Sequence, residues 1–189
     1  MYLDEAGFSL DPTVRRTWGL IGRTPMHTHA AKHFKKITAI SAVTISPQRR
    51  RLNLYMGLFR AGSAGQEDVL AFLNDLLRHL RGHVVLLLDR LSQHRSRLVR
   101  EAMARRPRVC LEYFPPYAPE LNPVEQVWTH LKHHRLANHG LLNLNDLEAQ
   151  VTAHARELRT RQDLLRSCIE HTPHPIRLPP RGHYQRRDQ

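Results

Sequence analysis

The chain has 189 residues, of which 29 are Lys or Arg and 17 are Asp or Glu, and its formal net charge is +12. This length suits one domain with a substantial core, and the charge predicts a polyanionic partner, although a merely soluble basic protein stays open. No apolar run is long enough to span a membrane, no secretory signal is evident, and the two cysteines indicate reduced intracellular thiols. A membrane-spanning protein and a disulfide-stabilised secreted domain are therefore not expected.

The first third of the chain predicts strands. Residues 1–4 form the end of one strand, residues 8–10 a second short strand, and residues 15–22 hairpin material. The segments Lys36–Ile45 and Leu52–Phe59 are rich in β-branched and apolar residues and should pair across a basic turn. An antiparallel set of strands is therefore expected here.

The middle of the chain alternates helices with apolar strands. Residues 66–81 form an amphipathic helix that ends at Gly82. Residues 83–89, HVVLLLD, are continuously apolar, which is typical of a parallel strand buried on both faces. A helix over residues 96–106 then leads to a strand over residues 109–114. The predicted fold is α/β: a mixed sheet, antiparallel strands leading into parallel βαβ units, flanked by helices.

The end of the chain divides into a helical part and a tail. Residues 144–169 predict one or two polar amphipathic helices. Residues 172–189 are basic and rich in proline, which predicts a disordered tail. One domain over residues 1–171 is therefore expected.

The stretch from residue 113 to residue 132, YFPPYAPELNPVEQVWTHLK, joins a proline-rich connection to a helix. Its prolines exclude a helix or a central strand in the first half, because each lacks a backbone donor and restricts the preceding residue. Asn122 is a good N-cap, Pro123 suits the first helical position, and Glu125 follows in the first turn. Glu125 is either the acidic partner of a capping box or a metal-binding carboxylate at the mouth of the sheet, and this stretch alone leaves both interpretations open.

Three carboxylates lie where a predicted strand ends or a helix begins: Asp4, Asp89 and Glu125. Sites in open α/β sheets lie at the carboxyl ends of strands, and an aspartate that ends a buried strand needs a cation or hydrogen-bond donors nearby. Carboxylate oxygens suit hard divalent cations, and two such ions assist in-line phosphoryl transfer. Together with the basic surface, the pattern favours a metal-dependent enzyme that acts on nucleic acid.

Four segments of the chain resemble those of DDE transposases of the bacterial insertion-sequence and mariner-type superfamily. They are residues 3–25, 40–51, 86–96 and 115–132, and they are spread over nearly the whole of the range 1–135 in the same order. The resemblance implies a ribonuclease-H-like fold that cleaves DNA and transfers strands with two Mg²⁺ or Mn²⁺ ions. It makes Asp4, Asp89 and Glu125 the catalytic residues and metal ligands, with Glu120 ranked below Glu125.

The resemblance and the local positive charge together select candidate DNA contacts. Glu5 is expected to touch the metal site through water, and Arg90 stands where many relatives carry Asn. The predicted DNA-binding residues are Arg15, Arg16, Trp18, Arg49, Arg50, Arg51, Arg90, His94, Arg95 and Lys132.

The resemblance also implies partners. The expected partner is DNA, both at the element ends and at the target, and no membrane is expected. The expected location is the cytoplasm, in association with the nucleoid. Homodimerisation and a separate N-terminal DNA-recognition polypeptide are compatible with it. Relatives carry an N-terminal helix-turn-helix region, so this chain is expected to be a catalytic half.

Two other classes of protein stay open on the sequence. One is an inactive DNA-binding remnant of a transposase, and the other is a metal-dependent nuclease of the same fold that cuts without joining. Zinc binding by the two histidine clusters is disfavoured, because no cysteine pair accompanies them. The clusters are His27, His29 and His33, and His130, His133 and His134.

Overall fold

A five-stranded mixed sheet forms the centre of the protein. The computed structural model describes residues 1–11, 14–24, 26, 36–60, 62–138, 141 and 143–179. Strand β1 pairs antiparallel with β2 and β2 with β3, whereas β4 pairs parallel with both β1 and β5, in the order β3-β2-β1-β4-β5. The strands are β1 Tyr2–Ser9, β2 Lys36–Ile45, β3 Leu52–Phe59, β4 Val84–Leu88 and β5 Val109–Tyr113. The predicted mixed sheet is confirmed.

Helices cover both faces of this sheet. The helices α1 and α2 pack with Leu3, Ile40 and the inner residues of β4 on one face, and α3, α4 and α5 pack with Tyr2, Ala6 and Phe8 on the other. None of the helices in the described ranges is both long and apolar enough to cross a membrane. The helices are α1 Gln66–His79, α2 Arg97–Ala104, α3 Pro123–Thr129, α4 Leu144–Thr160 and α5 Gln162–Glu170, with a π-helical turn His130–Arg135 after α3.

The start of the chain differs from the sequence prediction. Strand β1 is one continuous strand rather than two short ones, because every residue from Tyr2 to Ser9 is paired with β2. The predicted hairpin over residues 15–22 is wrong, since the described residues 14–24 contain no strand. Trp18 in this segment is 99% exposed, so its apolar residues have no core face to pack against.

Strand β4 is covered less completely than its apolar sequence predicts. Val84, Leu86 and Leu88 are buried against α1 and α2, but Val85 on the other face is 51% exposed. The layer formed by α3, α4 and α5 therefore reaches only the end of β4, where Leu87 packs against it.

Residues 172–179 pack on the domain, although the sequence predicts the start of a disordered tail there. Thr172 is buried, and Ile176 and Leu178 pack against the core on the α3–α5 face. The Arg49 guanidinium donates a hydrogen bond to the Arg177 carbonyl at 3.2 Å. Two apolar side chains and a backbone contact thus hold this segment, and the remainder of the predicted tail, residues 180–189, lies outside the described residues.

Asn122 joins helix α3 to the central strand. Its Oδ1 accepts a hydrogen bond from the Val124 N–H at 3.2 Å and so caps the helix. Its Nδ2 donates to the Leu3 carbonyl at 3.1 Å, and both contacts are buried. One side chain therefore fixes the start of α3 beside the residue that precedes Asp4.

Asn122→Ala is expected to lower the free energy of unfolding by about 2–4 kcal/mol, because a lost cap costs about 1 kcal/mol and an unsatisfied buried acceptor about 1–3 kcal/mol. Asn143 provides the matched control, since it caps α4 through the Asp146 N–H at an exposed position. Asn143→Ala should cost only the cap term. Urea unfolding of both variants measures the difference, and equal losses would show that the Leu3 contact contributes nothing.

Candidate active site

The neighbouring strands β1 and β4 bring Asp4 and Asp89 together. Tyr2 is paired in parallel register with Leu87, so Asp4 and Asp89 each lie two residues further along adjacent strands. Asp89 is the first residue after β4, whereas Asp4 is still paired, opposite Ser41. The two aspartates therefore lie side by side at one level of the sheet, as the sequence predicts for the carboxyl ends of parallel strands.

Helix α3 places Glu125 on the same side as Asp4. The indole Nε1 of Trp128 donates a hydrogen bond to Asp4 Oδ2 at 2.9 Å, so α3 lies over this part of β1. Glu125 precedes Trp128 by three residues and therefore shares its helical face. The apolar residues Val124, Val127 and Trp128 bury the helix against the sheet and fix this orientation. Asp4, Asp89 and Glu125 thus form a group that we call the carboxylate cluster.

Glu125 is not the acidic partner of a capping box. That role requires its carboxylate to accept from the Asn122 backbone N–H, but this N–H donates to the Pro119 carbonyl at 2.9 Å. The Glu125 carboxylate is half-buried and makes no hydrogen bond with any described residue. Of the two interpretations of Glu125, the one as a helix cap is therefore wrong.

Glu120, which the sequence ranks below Glu125, is exposed and lies in a short 3-10 turn, Pro119–Leu121.

Burial and negative neighbours both raise the pKa values of Asp4 and Glu125. Burial and the charge of Glu125 raise the pKa of Asp4 to about 7, the Trp128 hydrogen bond opposes this, and Glu5 and Asp89 add smaller increases. Burial likewise raises the pKa of Glu125, Lys132 lowers it, and Asp89 raises it. Each of the two groups is therefore harder to ionise mainly because it is buried, and a negative neighbour adds to this effect. Such clustered charge is typical of sites that bind a cation.

His94 lies between Glu5 and Asp89 and is fully buried. Its Nδ1 is 2.5 Å from Asp89 Oδ1 and its Nε2 is 2.7 Å from Glu5 Oε1. Burial lowers the pKa of His94, but the hydrogen bonds to the two carboxylates outweigh burial and raise it to about 9, so the ring is the imidazolium and donates at both nitrogens. Burial raises the pKa of Asp89, but hydrogen bonds from His94 and the Leu91 N–H leave it below its ordinary value.

This placement corrects one sequence prediction. The sequence predicts that His94 contacts a DNA phosphate, but a ring with no exposed surface and both nitrogens engaged cannot do so. Glu5, which is expected to touch the metal site through water, accepts a hydrogen bond from His94 through Oε1. One feature of the sequence indicates the contact between His94 and Asp89. They are five residues apart, a spacing that allows a tight turn to bring the ring back to the aspartate.

Predicted DNA contacts close to the cluster come from several elements. Lys132 follows α3 and lies 5.4 Å from the centre of the Phe8 ring, and its charge acts on Glu125. Arg90 donates through Nε to the Phe114 carbonyl at 3.0 Å. Arg95 is exposed beside His94. Of these three cations, Lys132 is the one whose charge acts on a residue of the carboxylate cluster, whereas Arg90 and Arg95 follow Asp89 along the chain.

Predicted DNA contacts farther from the cluster lie in two groups. The Arg15 guanidinium donates to the His133 carbonyl at 3.0 Å, and Arg16 and Trp18 are exposed in the same segment. The residues of the second group, Arg49, Arg50 and Arg51, occupy the β2–β3 turn. This turn begins five residues beyond Ser41, which is opposite Asp4, so at about 3.3 Å per residue it lies roughly 16 Å along the strand from the cluster.

The two histidine clusters of the sequence have different outcomes. His27, His29 and His33 lie outside the described residues. The rings of His130 and His134 stack at 5.6 Å in the π-helical turn.

The carboxylate cluster offers donors for a divalent ion without forming a closed cage. Within the described ranges, no group of three or more His, Cys, Asp or Glu side chains is arranged so that it could hold a metal ion. Asp4 uses Oδ2 and Asp89 uses Oδ1 in hydrogen bonds, and the second oxygen of each has no partner among the described residues. Mg²⁺ typically takes one or two carboxylates and completes its shell with water and substrate phosphate. The free oxygens of Asp4 and Asp89 therefore fit such an ion, provided that water and substrate supply its other ligands.

A family comparison identifies the chain. The sequence profile of the DDE superfamily endonucleases matches residues 1–148. The chain belongs to the DDE superfamily endonuclease family. No curated protein sequence matches it.

Solved structures place this family member among ribonuclease-H-like folds. A pre-cleavage Mos1 transpososome matches with a TM-score of 0.60 and 16% identity, over 93% of this chain and 56% of that one. The mariner Mos1 paired end complex with Mg matches with 0.58 and 16%, over 93% and 56%. The catalytic domain of Mos1 mariner transposase matches with 0.51 and 13%, over 93% and 83%. The likeness confirms the predicted fold. This chain spans about half the length of the Mos1 transposase chain in the first two of these structures.

Proposed function

We propose that this DDE endonuclease is the catalytic domain of a transposase, which cuts DNA strands and joins them by phosphoryl transfer. The observation that carries the proposal is the carboxylate cluster, in which β1, β4 and α3 bring three acidic side chains together around a raised Asp4 pKa. Structural relatives include a Mos1 strand transfer complex and Mos1 paired end complexes with Mg and with Mn. Strand transfer and these metals belong to the Mos1 complexes, and we propose the corresponding chemistry for this chain.

The carboxylate cluster and its neighbours Trp128 and Lys132 would have separate tasks. Asp4, Asp89 and Glu125 would hold Mg²⁺ or Mn²⁺ ions, two in the proposed active state, and bound metal would supply Lewis-acid stabilisation of the phosphate and a lowered pKa for the attacking hydroxyl. Trp128 keeps the Asp4 carboxylate turned towards α3. Lys132 supplies a cation near Glu125 where a DNA phosphate would arrive.

To test the proposal, the purified chain is incubated with supercoiled plasmid and with a labelled DNA duplex, and the nicked and joined products are measured. We expect nicked circles with Mg²⁺ or Mn²⁺ and none with EDTA, and joined products if strand transfer also occurs. Asp89→Asn should abolish both products, because it removes a charged oxygen at the centre of the cluster. Nicking that survives EDTA, or that is equal in Asp89→Asn, would contradict the proposal.

DNA binding by this chain is expected to be electrostatic and to fall steeply with salt. The net charge is +12, and each phosphate contact adds about 0.9 to the slope of log affinity against log salt. Lys132→Gln should reduce that slope by about 1 without changing sequence preference. Arg78→Gln is the control, because Arg78 is 77% exposed on α1 across the sheet. Fluorescence anisotropy at several salt concentrations measures the slopes, and tight, sequence-selective and salt-insensitive binding would refute this expectation.

A further inference from the structure

A buried hydrogen-bonded chain, Glu5–His94–Asp89, lies on the opposite side of β1 from the Trp128 contact. Side chains alternate along a strand, so Asp4 faces α3 while Glu5 faces the layer of α1 and α2. Glu5 reaches His94 Nε2 at 2.7 Å, and His94 Nδ1 reaches Asp89 at 2.5 Å. His94 thus contacts Asp89 from the side of the sheet that α1 and α2 cover, whereas Glu125 approaches the cluster from the side that α3 covers.

His94 is itself fixed by contacts at its backbone. The Tyr113 hydroxyl of β5 donates to the His94 carbonyl at 3.1 Å. The His94 N–H donates to the Leu91 carbonyl at 3.1 Å, which closes the turn after β4. The ring has no exposed surface, and both of its nitrogens are engaged by carboxylates. The ring nitrogen that faces Asp89 is therefore held in place from two elements.

The two carboxylate oxygens of Asp89 have different contacts. Oδ1 accepts from both the Leu91 N–H at 3.0 Å and His94 Nδ1, whereas Oδ2 has no hydrogen bond from the described residues. We propose that His94 is a positioning residue of the DNA-cleaving site, which fixes Asp89 through Oδ1 and leaves Oδ2 free to bind a divalent ion, with Glu5 orienting the ring. This inference rests on the proposed function, because it needs Asp89 to be a metal ligand.

The burial of Glu5 supports its role as the orienting partner. Its side chain is only 7% exposed, and its second oxygen, Oε2, is buried without a hydrogen bond in the described part of the chain. A buried carboxylate without a cationic partner is costly, so the His94 contact accounts for its presence there. Residues that orient a metal ligand typically change metal affinity about 10–100-fold when they are replaced.

Two variants of His94 separate positioning from simple packing. The amide nitrogen of Asn can occupy the place of Nδ1 and donate to Asp89, whereas that of Gln can occupy the place of Nε2 and donate to Glu5. We expect His94→Gln to weaken Mn²⁺ binding about 10–100-fold, and His94→Asn to stay close to the parent. Mn²⁺ binding to the purified chain is measured by electron paramagnetic resonance without DNA, and thermal melting gives the folded fraction of each variant. Equal Mn²⁺ affinities for the two variants would overturn the inference.

The parent chain and Asp89→Asn separate this inference from the proposed function. If Asp89→Asn binds Mn²⁺ as the parent does, the proposed function fails and this inference fails with it. If Asp89→Asn loses Mn²⁺ while both His94 variants bind as the parent, only the positioning role is overturned. Should neither His94 variant fold, Tyr113→Phe decides, since it removes one hydroxyl that holds His94. It should weaken Mn²⁺ binding relative to Tyr117→Phe, a change at a fully exposed ring, and equality of these two variants would refute the proposal.

Discussion

Glu125→Gln is expected to lower metal-dependent nicking of supercoiled DNA at least about 100-fold, because a bound metal contributes several kcal/mol of transition-state stabilisation and each 1.4 kcal/mol is a factor of about ten. The amide keeps the shape of the side chain but removes a charged oxygen donor. The fold should be unaffected, since the Glu125 carboxylate makes no hydrogen bond with the described residues. Melting without metal and nicking with Mg²⁺ or Mn²⁺, on the same preparation, measure the two effects.

The matched control for this prediction is Glu120→Gln. Glu120 precedes α3 by a few residues and is exposed. Its replacement changes the net charge by the same amount but leaves the carboxylate cluster intact, so the nicking rate should stay close to that of the parent. A Glu125→Gln variant that nicks as fast as Glu120→Gln would remove Glu125 from the site.

The strands with the clearest local pattern were predicted best from the sequence. The bounds of β2 and β3 agree with the prediction, because a β-branched, apolar segment has few alternatives to a strand. The sequence predicts two short strands where β1 is continuous, because local residues do not reveal the pairing with β2 that runs from Tyr2 to Ser9. Residues 172–179 were assigned to a disordered tail because their prolines concealed Ile176 and Leu178, which pack on the core. Composition predicts these elements only where no tertiary contact overrides it.

The candidate site divides in the same way between local and distant information. Asp89 and Glu125 are marked by local sequence, one at the end of an apolar strand and one in the first turn of a capped helix. The pairing of His94 with Glu5 joins residues 89 positions apart, and no local pattern reports it. Likewise, the spacing of Asn122 and Glu125 is compatible with a capping box. In the structure, however, the Asn122 N–H donates to the Pro119 carbonyl, and this contact depends on the turn that the prolines impose. Only the folded chain reveals such competition.

Asp4→Asn is expected to stabilise the metal-free chain above pH 7. The pKa of Asp4 rises from 3.8 to about 7 on folding, through burial and the charge of Glu125. Between these two pH values the unfolded chain has released a proton that the folded chain retains, so stability falls as the pH rises from about 4 to about 7. Because one pKa unit corresponds to about 1.4 kcal/mol, the ionised carboxylate costs the fold on the order of 4 kcal/mol above pH 7.

The asparagine variant removes this cost while keeping the main contact of Asp4. Its amide oxygen still accepts from Trp128 Nε1, and its volume matches that of the aspartate. Urea unfolding at pH values from 4 to 8 should show a parent that loses stability and a variant whose stability falls much less, the two converging near pH 4. Asp11→Asn, at an exposed position after β1, is the control and should follow the parent. Because the same change removes a proposed metal ligand, the stabilised variant should have lost metal-dependent nicking. An Asp4→Asn chain that is less stable than the parent at pH 8 would show that this carboxylate is held by favourable contacts and is not strained by its neighbours.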